Sequence, residues 1–406
     1  MSADGYLLFT TRIVRLFAYG FLSVILALYL AQVGLSETAI GALFTFTLLG
    51  DAGISLWITT SADRVGRKRM LLLGAALMIF AGVVFAVTGD FILLTLAAII
   101  GVISPSGNEI GPFLSIEQAA LSQISPDQQR TRVFAWYNLV GSFATATGAL
   151  VSGALAQVLQ ANGYAPLESY RVVVIGYAAI GVALAILFSR LSRNVETTRR
   201  VVSTRTGLHR SRGVVIQLSA FFALDAFAGG FIVQSLIAYW FQIRWGVEPA
   251  LLGSIFFGAN ILAGISALSA ARIASRIGLI NTMVFTHIPS NILLIFVPLM
   301  PNLPLAIALL LVRFSISQMD VPTRQSYTMA VVDPDERSAA SGVTTIARSL
   351  GAAWSPALAG ALLQSPFISA PFFLAGGLKI LYDLLLYRSF RGMKPPEEKI
   401  KAPSAG

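Results

Sequence analysis

The sequence predicts an all-α polytopic membrane protein, with twelve transmembrane helices in two pseudo-symmetric six-helix bundles. Its 406 residues are 56% hydrophobic and only 12% charged, whereas about 25% of the residues of a soluble protein carry charge. The apolar residues form long runs, such as 71–88 and 91–108, of the length that crosses a bilayer. Basic residues recur between these runs, and the second half of the chain repeats features of the first.

Charged residues, glycines and prolines delimit the twelve predicted helices. They span residues 11–33, 38–61, 69–88, 91–122, 130–160, 171–192, 213–243, 248–271, 280–299, 303–331, 337–364 and 368–390. We therefore expect an N-terminal bundle over residues 1–192, a cytoplasmic linker over 193–212, a C-terminal bundle over 213–391 and a cytoplasmic tail over 392–406. The linker is polar and basic, which is typical of a solvated connection.

Arginine and lysine gather in alternate connections, which predicts the orientation in the membrane. One side of the twelve-helix arrangement holds Arg64, Arg67, Lys68, Arg69, Arg130, Arg132, Arg193, Arg199, Arg200, Arg205, Arg210, Arg212, Arg272, Arg276, Lys394, Lys399 and Lys401. The opposite loops hold little beyond Arg171 and Arg244. By the positive-inside rule both termini are cytoplasmic, and we expect a bacterial cytoplasmic membrane. This alternation argues against nucleic-acid binding despite a net charge of +10.

Several kinds of chemistry are disfavoured by what the sequence contains. There is no cysteine, and the two histidines, His209 and His287, fall in different segments, so we expect no metal site and no cofactor. A membrane-embedded enzyme would need a clustered nucleophile, metal or acid–base set, and the sequence shows none. The expected partners are the lipid bilayer and a small molecule.

An internal repeat relates the two halves. A shift of 212 residues places Gly41 on Gly253 and Gly66 on Gly278. A shift of 208 residues places residues 125–127 on residues 333–335, in the loop after the fourth helix of each half. Two six-helix halves in parallel orientation are one of the repeat architectures of secondary transporters, whose substrate site lies at the interface of the repeats.

Between the second and third predicted helices the chain reads Ala62-Asp63-Arg64-Val65-Gly66-Arg67-Lys68-Arg69. This segment resembles the signature of the major facilitator superfamily, although Thr59 stands where that family usually has glycine. The resemblance implies a cytoplasmic latch that favours the outward-facing state, formed here by Asp63, Arg64, Gly66, Arg67 and Lys68. It covers the whole chain, because the helix count, repeat, linker and signature all fit.

The resemblance implies a secondary active transporter that moves a small solute by alternating access. We expect a proton-coupled monomer, with efflux favoured over uptake. One alternative is proton-coupled uptake of a small organic anion or metabolite. A second, of a different class, is a transporter-like membrane receptor or sensor. In this family the first, fourth, seventh and tenth helices line the central cavity, so charges in those helices are the main site candidates.

The fourth predicted helix carries two acids. Glu109 lies in Ser106-Gly107-Asn108-Glu109-Ile110-Gly111-Pro112, where glycine and proline predict a broken helix beside a proton or cation site. Glu117 lies two turns further toward the cytoplasm. A transport role for Glu117 and a salt bridge with Arg130 or Arg67 are both consistent with its position.

In the second half, Asp225 and Gln234 are the candidates in the seventh helix, Arg313 and Asp320 in the tenth, and Arg348 in the eleventh. Arg313 and Asp320 are seven residues apart, which places them on one face of a continuous helix. We expect Arg313 to pair with Asp320 or Glu109. Lys379 and Asp383, four residues apart in the twelfth helix, are expected to form a structural pair.

Overall fold

The computed structural model describes residues 2–108, 112–124, 130–196, 208–333 and 336–393, without the side chains of residues 63, 130–132, 135 and 338. All regular structure within these ranges is helical. The α-helices are α1 Ala3–Ser23, α2 Leu26–Gln32, α3 Glu37–Val65, α4 Arg67–Val87, α5 Phe91–Ile100, α6 Phe113–Ile124, α7 Arg130–Ala161, α8 Pro166–Ser189, α9 Arg212–Gly230, α10 Gln234–Trp245, α11 Pro249–Ile277, α12 Leu279–Phe296, α13 Leu303–Phe314, α14 Asp320–Val331, α15 Arg337–Gln364 and α16 Ala370–Phe390.

These helices confirm the predicted fold class. Among the described residues, eight helical spans are long and apolar enough to cross a membrane, and a ninth is the pair α1 and α2, which meet at 42°. The remaining predicted segments correspond to the pair α5 and α6, the pair α13 and α14, and α15, whose 28 residues include many that are small or polar. Helix bounds agree with the predicted segments to within several residues, except that α1 begins at Ala3 rather than at residue 11.

Within the described ranges, four of the twelve segments are interrupted: the first, fourth, seventh and tenth. Their breaks lie between α1 and α2, α5 and α6, α9 and α10, and α13 and α14. In the fourth segment Gly107 has a φ of +69°, which confirms the break predicted from Gly107 and Pro112. Interrupted helices present backbone groups and helix ends inside the membrane, where transporters bind solutes and ions. The breaks therefore mark the segments that can build a site.

The turn at the signature and its repeat copy depend on glycine. Gly66, between α3 and α4, has a φ of +113°, and Gly278, between α11 and α12, has a φ of +88°. Side chains other than glycine rarely adopt this backbone conformation, so both halves need glycine at the corresponding position. The 212-residue repeat therefore has the same local structure in both copies.

The described residues form two compact units. The first lies within Met1–Val201, Val233–Ile261 and Pro356–Ile368, and the second within Val202–Ile232, Leu262–Ser355 and Ser369–Gly406. The two pieces of the seventh segment, α9 and α10, thus belong to different units. The division into bundles 1–192 and 213–391 rests on the sequence repeat and stays a prediction.

Small residues set the helix crossings in the first unit. A Cβ at Gly153 of α7 would lie 2.3 Å from the carbonyl oxygen of Pro249 and 2.9 Å from Cα of Gly253. A Cβ at Gly41 of α3 would lie 2.9 Å from Cα of Gly360. Both pairs of backbones approach too closely for any side chain, as expected for helices that associate in lipid.

The second unit has an apolar core between α9, α12, α14 and α16. Its buried members are Leu218, Phe222, Ile280, Met283, Val284, Tyr327, Tyr382, Leu386 and Phe390. This core fixes the faces of the four helices, so the polar side chains on those faces are brought together at defined positions.

Candidate functional site

Charged side chains from four helices of the second unit meet at Asp225 of α9. Asp225 is 3% exposed, and its carboxylate lies 2.6 Å from Nζ of Lys379 in α16. Guanidinium nitrogens of Arg348 in α15 and Arg324 in α14 lie 3.0 and 3.2 Å away. The structure therefore brings two predicted residues, Asp225 and Arg348, into direct contact.

Arg324 is shared between two carboxylates. Its NH1 nitrogen contacts Asp225 and also lies 2.8 Å from Oδ2 of Asp320, one helical turn earlier in α14. We call Asp225, Asp320, Arg324, Arg348 and Lys379 the Asp225 cluster. A single charge at the centre of a membrane costs about 2.5–3.5 kcal/mol on insertion scales. Such a cluster is therefore expected where the charges compensate one another or take part in transport.

Lys379 and Asp383, the expected structural pair, interact electrostatically, but each hydrogen-bonds a residue of another helix. Lys379 reaches Asp225, while Oδ1 of Asp383 lies 2.9 Å from Nδ1 of His287 in α12. Asn291, one turn after His287, donates to Asp383 at 3.2 Å. A four-residue spacing permits a pair on one helix, but here the carboxylates and cations of neighbouring helices are closer.

Arg313 does not form the expected hydrogen-bonded pair with Asp320. The prediction assumed one continuous helix, but α13 ends at Phe314 and α14 begins at Asp320, so the seven-residue spacing no longer defines a face. Asp320 bonds Arg324 instead. Arg313 is 6% exposed, and its Nε has no hydrogen-bond partner among the described residues. The other expected partner, Glu109, lies outside those residues.

In the first unit, Glu117 of α6 forms a buried ion pair with Arg15 of α1. Two guanidinium nitrogens of Arg15 each lie 2.8 Å from a carboxylate oxygen, and both side chains are 0% exposed. The hydroxyls of Thr11 and Tyr137 donate to the same carboxylate. Glu117 is therefore held by Arg15, whereas Arg67 contacts Gln123 and Val195. The Arg130 side chain, the other partner considered from the sequence, lies outside the described residues.

Arg12 and Arg15 are buried charges of the first segment that the sequence prediction missed. Arg12 donates from Nε to the carbonyl oxygen of Tyr137 at 2.8 Å, and its guanidinium lies 4.2 Å from the centre of that ring. The available signal was two arginines three residues apart inside an apolar segment. In the second half, Lys379, Arg324 and His287 are likewise ionisable residues inside apolar segments.

Gln234, a predicted substrate contact, lies at a junction of helix ends in the first unit. Its Nε2 donates to Oγ of Ser23 at 2.8 Å, and its Oε1 accepts from Asn260 at 3.2 Å. The neighbouring Ser235 hydroxyl contacts the carbonyl oxygens of Ser23 and Pro105 at 2.6 and 2.7 Å. These bonds connect α10 to the breaks of the first and fourth segments, and a substrate contact at Gln234 stays a prediction.

The signature loop binds the beginning of the expected linker. Glu196 accepts the backbone N–H groups of Arg67 and Lys68, at 2.7 and 3.2 Å, at the first turn of α4. The Arg67 guanidinium donates to Gln123 at 2.9 Å and to the carbonyl of Val195 at 3.2 Å. Residues 193–196, expected to be a solvated part of the linker, therefore lie against the signature loop.

The other signature residues are only partly characterised. Lys68 donates from Nζ to the carbonyl of Leu191 at 2.8 Å, and Arg64 is exposed. The Asp63 side chain lies outside the described residues. The latch assigned to Asp63, Arg64, Gly66, Arg67 and Lys68 stays a prediction, and Glu196 joins it as a residue that the sequence did not single out.

Comparison with known proteins supports the family that the signature segment indicates. A family model described as the Major Facilitator Superfamily matches residues 8–356 and 246–406. The chain is 30% identical over 433 residues to the uncharacterized membrane protein YJR124C of Saccharomyces cerevisiae, covering 98% of this chain and 96% of that protein. It is 25% identical over 158 residues, 39% of each chain, to the quinolone resistance protein NorA of Staphylococcus aureus.

Solved structures share the fold at low sequence identity. The nucleoside transporter NupG superimposes with a TM-score of 0.72 at 14% identity, over 96% of this chain and 100% of that one. A D-xylose-proton symporter superimposes with a TM-score of 0.72 at 15% identity, over 95% and 97% of the two chains. The chain therefore belongs to the major facilitator superfamily, as a multi-pass membrane transporter.

Proposed function

We propose that this protein is a secondary active transporter that carries a small solute by alternating access, coupled to protons, with efflux favoured over uptake. The proposal places it as a monomer in a bacterial-type cytoplasmic membrane with both termini in the cytoplasm. The observation that carries it is the Asp225 cluster, in which a buried carboxylate connects α9, α14, α15 and α16 through three cations. Such a cluster can exchange partners when a proton or solute arrives.

Arg324 is the side chain that can transmit the exchange. It bonds both Asp225 and Asp320, whereas Lys379 and Arg348 add further bonds to Asp225. A proton on Asp320 would remove one attraction from Arg324 and leave it to Asp225. Asp225 has three cationic partners and Asp320 one hydrogen-bonded cation, so Asp320 has the simpler set of contacts to exchange. Arg313 also interacts electrostatically with Asp320.

The relatives indicate which direction of transport to test first. NorA is a quinolone resistance protein, which favours efflux as the direction tested first. The D-xylose-proton symporter shares the fold, and proton-coupled uptake is the alternative outcome. A transporter-like receptor would bind a solute and move none.

The test uses purified protein in proteoliposomes with a trapped pH-sensitive dye. A solute pulse should move protons across the membrane in wild-type vesicles, and Asp320→Asn should abolish that proton movement while solute binding persists. The exposed Arg272→Gln variant is the control, because Arg272 lies outside the Asp225 cluster. Solute flux that is indifferent to the pH gradient, in wild type and Asp320→Asn alike, would refute proton coupling.

A further inference from the structure

The charges inside the second unit do not balance. Four cations lie within its described helices away from their exposed ends, Arg313, Arg324, Arg348 and Lys379, against three carboxylates, Asp225, Asp320 and Asp383. The difference is one positive charge when His287 is neutral and two when it is protonated. An excess charge inside a membrane protein needs a counter-charge or water, because hydrocarbon provides neither.

The second unit also holds polar atoms without partners. Among the described residues, five buried side-chain atoms of this unit make no hydrogen bond: Ser219 Oγ, Ser290 Oγ, Asn291 Oδ1, Arg313 Nε and Ser317 Oγ. Buried polar groups are nearly always paired, so these atoms are available to bond a water or a ligand. All of these atoms except Asn291 Oδ1 can donate a hydrogen bond, which fits a ligand rich in acceptors.

Arg348 is the accessible member of the Asp225 cluster. Its side chain is 33% exposed, whereas those of Arg324, Lys379 and Asp225 are 7%, 10% and 4% exposed. It contacts Asp225 through NH1, and the fork of a guanidinium carries five N–H donors. Arg348 and Arg313 both interact electrostatically with Asp320, so the two arginines lie within electrostatic range of a common carboxylate.

In the part of the second unit that the structure describes, every buried carboxylate already has a partner. Asp225 has three cations, Asp320 has Arg324, and Asp383 has His287 and Asn291. A cation would have to displace an existing partner from one of them, whereas an anion would offset the excess charge and accept unused donors. The charge balance of the second unit therefore selects against cations.

We propose that the transported solute is a small organic anion, a carboxylate or a phosphate ester, whose negative group binds Arg348 with Arg313 as the second cation. This inference rests on the proposed transport function, since it names the solute of the same site. The guanidinium fork of Arg348 matches the two oxygens of a carboxylate or phosphate. When the anion is absent, Asp225 holds Arg348 in place.

The experiment compares molecules that differ in charge and little else. Benzoate, benzyl alcohol and benzylamine form one series, and glycerol 3-phosphate with glycerol forms a second. Ligand-dependent rise in Tm of the purified full chain is measured for each, because a ligand of the folded state raises Tm by mass action. We expect an anionic member to raise Tm while its neutral and cationic analogues do not, and the two series distinguish a carboxylate from a phosphate.

Three variants locate the effect. Arg348→Gln should weaken apparent anion affinity by about tenfold or more, as expected for the loss of a charge-assisted hydrogen-bond fork. It should still fold, because Asp225 keeps Lys379 and Arg324. Arg348→Lys should retain part of the affinity, since it preserves the charge without the fork. Arg272→Gln removes an exposed arginine of the same unit and should bind like wild type.

Each contrary result has a distinct meaning. If benzylamine alone raises Tm, if the anion shift survives Arg348→Gln unchanged, or if no anion produces a shift, the anion inference is overturned. Gradient-driven movement of benzylamine in proteoliposomes would leave the transport function standing while rejecting the anion. Arg348-dependent benzoate binding without any flux would support the anion site and reject transport.

Discussion

The two buried charge clusters differ in how completely their members are satisfied. Around Glu117, four donors meet one carboxylate, and the two ions are fully buried. Around Asp225, one arginine is divided between two carboxylates and another is one-third exposed, and other polar atoms of the second unit have no partner among the described residues. The first arrangement has one favourable state, whereas the second can adopt several.

This difference separates a structural ion pair from a cluster whose ion pairs can rearrange. A saturated carboxylate gains nothing from rearrangement, so Glu117 anchors α1 to α6 in one geometry. A shared cation such as Arg324 can shift between acceptors at small cost, which is what a transporter needs when it alternates between states. We therefore expect substitutions at Glu117 to affect stability first, and substitutions at the Asp225 cluster to affect transport first.

The largest stability effect is expected from Glu117→Gln. The change removes the carboxylate charge that pairs with Arg15, and removing one partner of a buried ion pair costs about 3–5 kcal/mol. Thermal unfolding of the purified variant measures the loss as a lower Tm. The double variant Arg15→Met with Glu117→Leu removes both charges and should recover most of the stability.

Glu117→Gln also tests whether the Glu117 pair is structural and the Asp225 cluster functional. A variant with wild-type Tm and no transport would place the functional cluster in the first unit and invert the assignment. A failure of the double variant to recover stability would show that Thr11 and Tyr137, left without the carboxylate, contribute as much as Arg15.

A smaller loss of stability and a complete loss of transport are expected from Asp225→Asn. Three cations then lose their common carboxylate, but Arg324 retains Asp320 and the Arg348 side chain is already 33% exposed. Adding Lys379→Met should offset part of the loss, because one of the repelling cations is removed. The double-mutant cycle for contacting residues should give a coupling of about 0.5–3 kcal/mol, measured from unfolding of the four proteins.

Strict additivity of Asp225→Asn and Lys379→Met would contradict the 2.6 Å contact between the two side chains. The matched control pairs Asp225→Asn with Arg272→Gln, which should be additive, since Arg272 is exposed and outside the cluster.

Much of this organisation could be predicted from the sequence, for physical reasons. Long apolar runs, alternating basic loops and glycine at both copies of the turn are local properties, so the twelve segments and the equivalent roles of Gly66 and Gly278 follow from the chain alone. Asp225 and Arg348 were found because intramembrane charge is costly wherever it occurs.

The partners of those charges could not be predicted, because they depend on which helices are neighbours. Lys379 lies one turn from Asp383 but bonds Asp225, 154 residues earlier. Arg313 lost its expected face because the chain breaks between α13 and α14. Arg15 was missed since its partner, Glu117, lies 102 residues away, and only the packing of α1 on α6 brings them together.

The smallest effects are expected where a carboxylate caps a helix outside the membrane-spanning segments. In the second unit, Glu336 accepts the backbone N–H groups of His209, Arg210 and Ser211 at 2.8, 2.8 and 3.0 Å, just before and at the start of α9. In the first unit, Glu196 accepts two such groups at the start of α4. We expect Glu336→Gln to lower Tm by a few degrees at neutral pH, and Glu196→Gln by less.

The pH dependence of Glu336→Gln provides the check. Burial of Glu336 would raise its pKa, but the backbone N–H groups of Arg210, His209 and Ser211 outweigh burial and hold the pKa below its ordinary value. A carboxylate with a depressed folded pKa stabilises the protein above its unfolded pKa, about 4.3, and this contribution disappears as pH falls through the folded pKa. The Tm difference between wild type and Glu336→Gln should therefore be full at pH 7 and narrow in acid. A difference that stays constant across this range would show that Glu336 acts through shape and neutral hydrogen bonds alone.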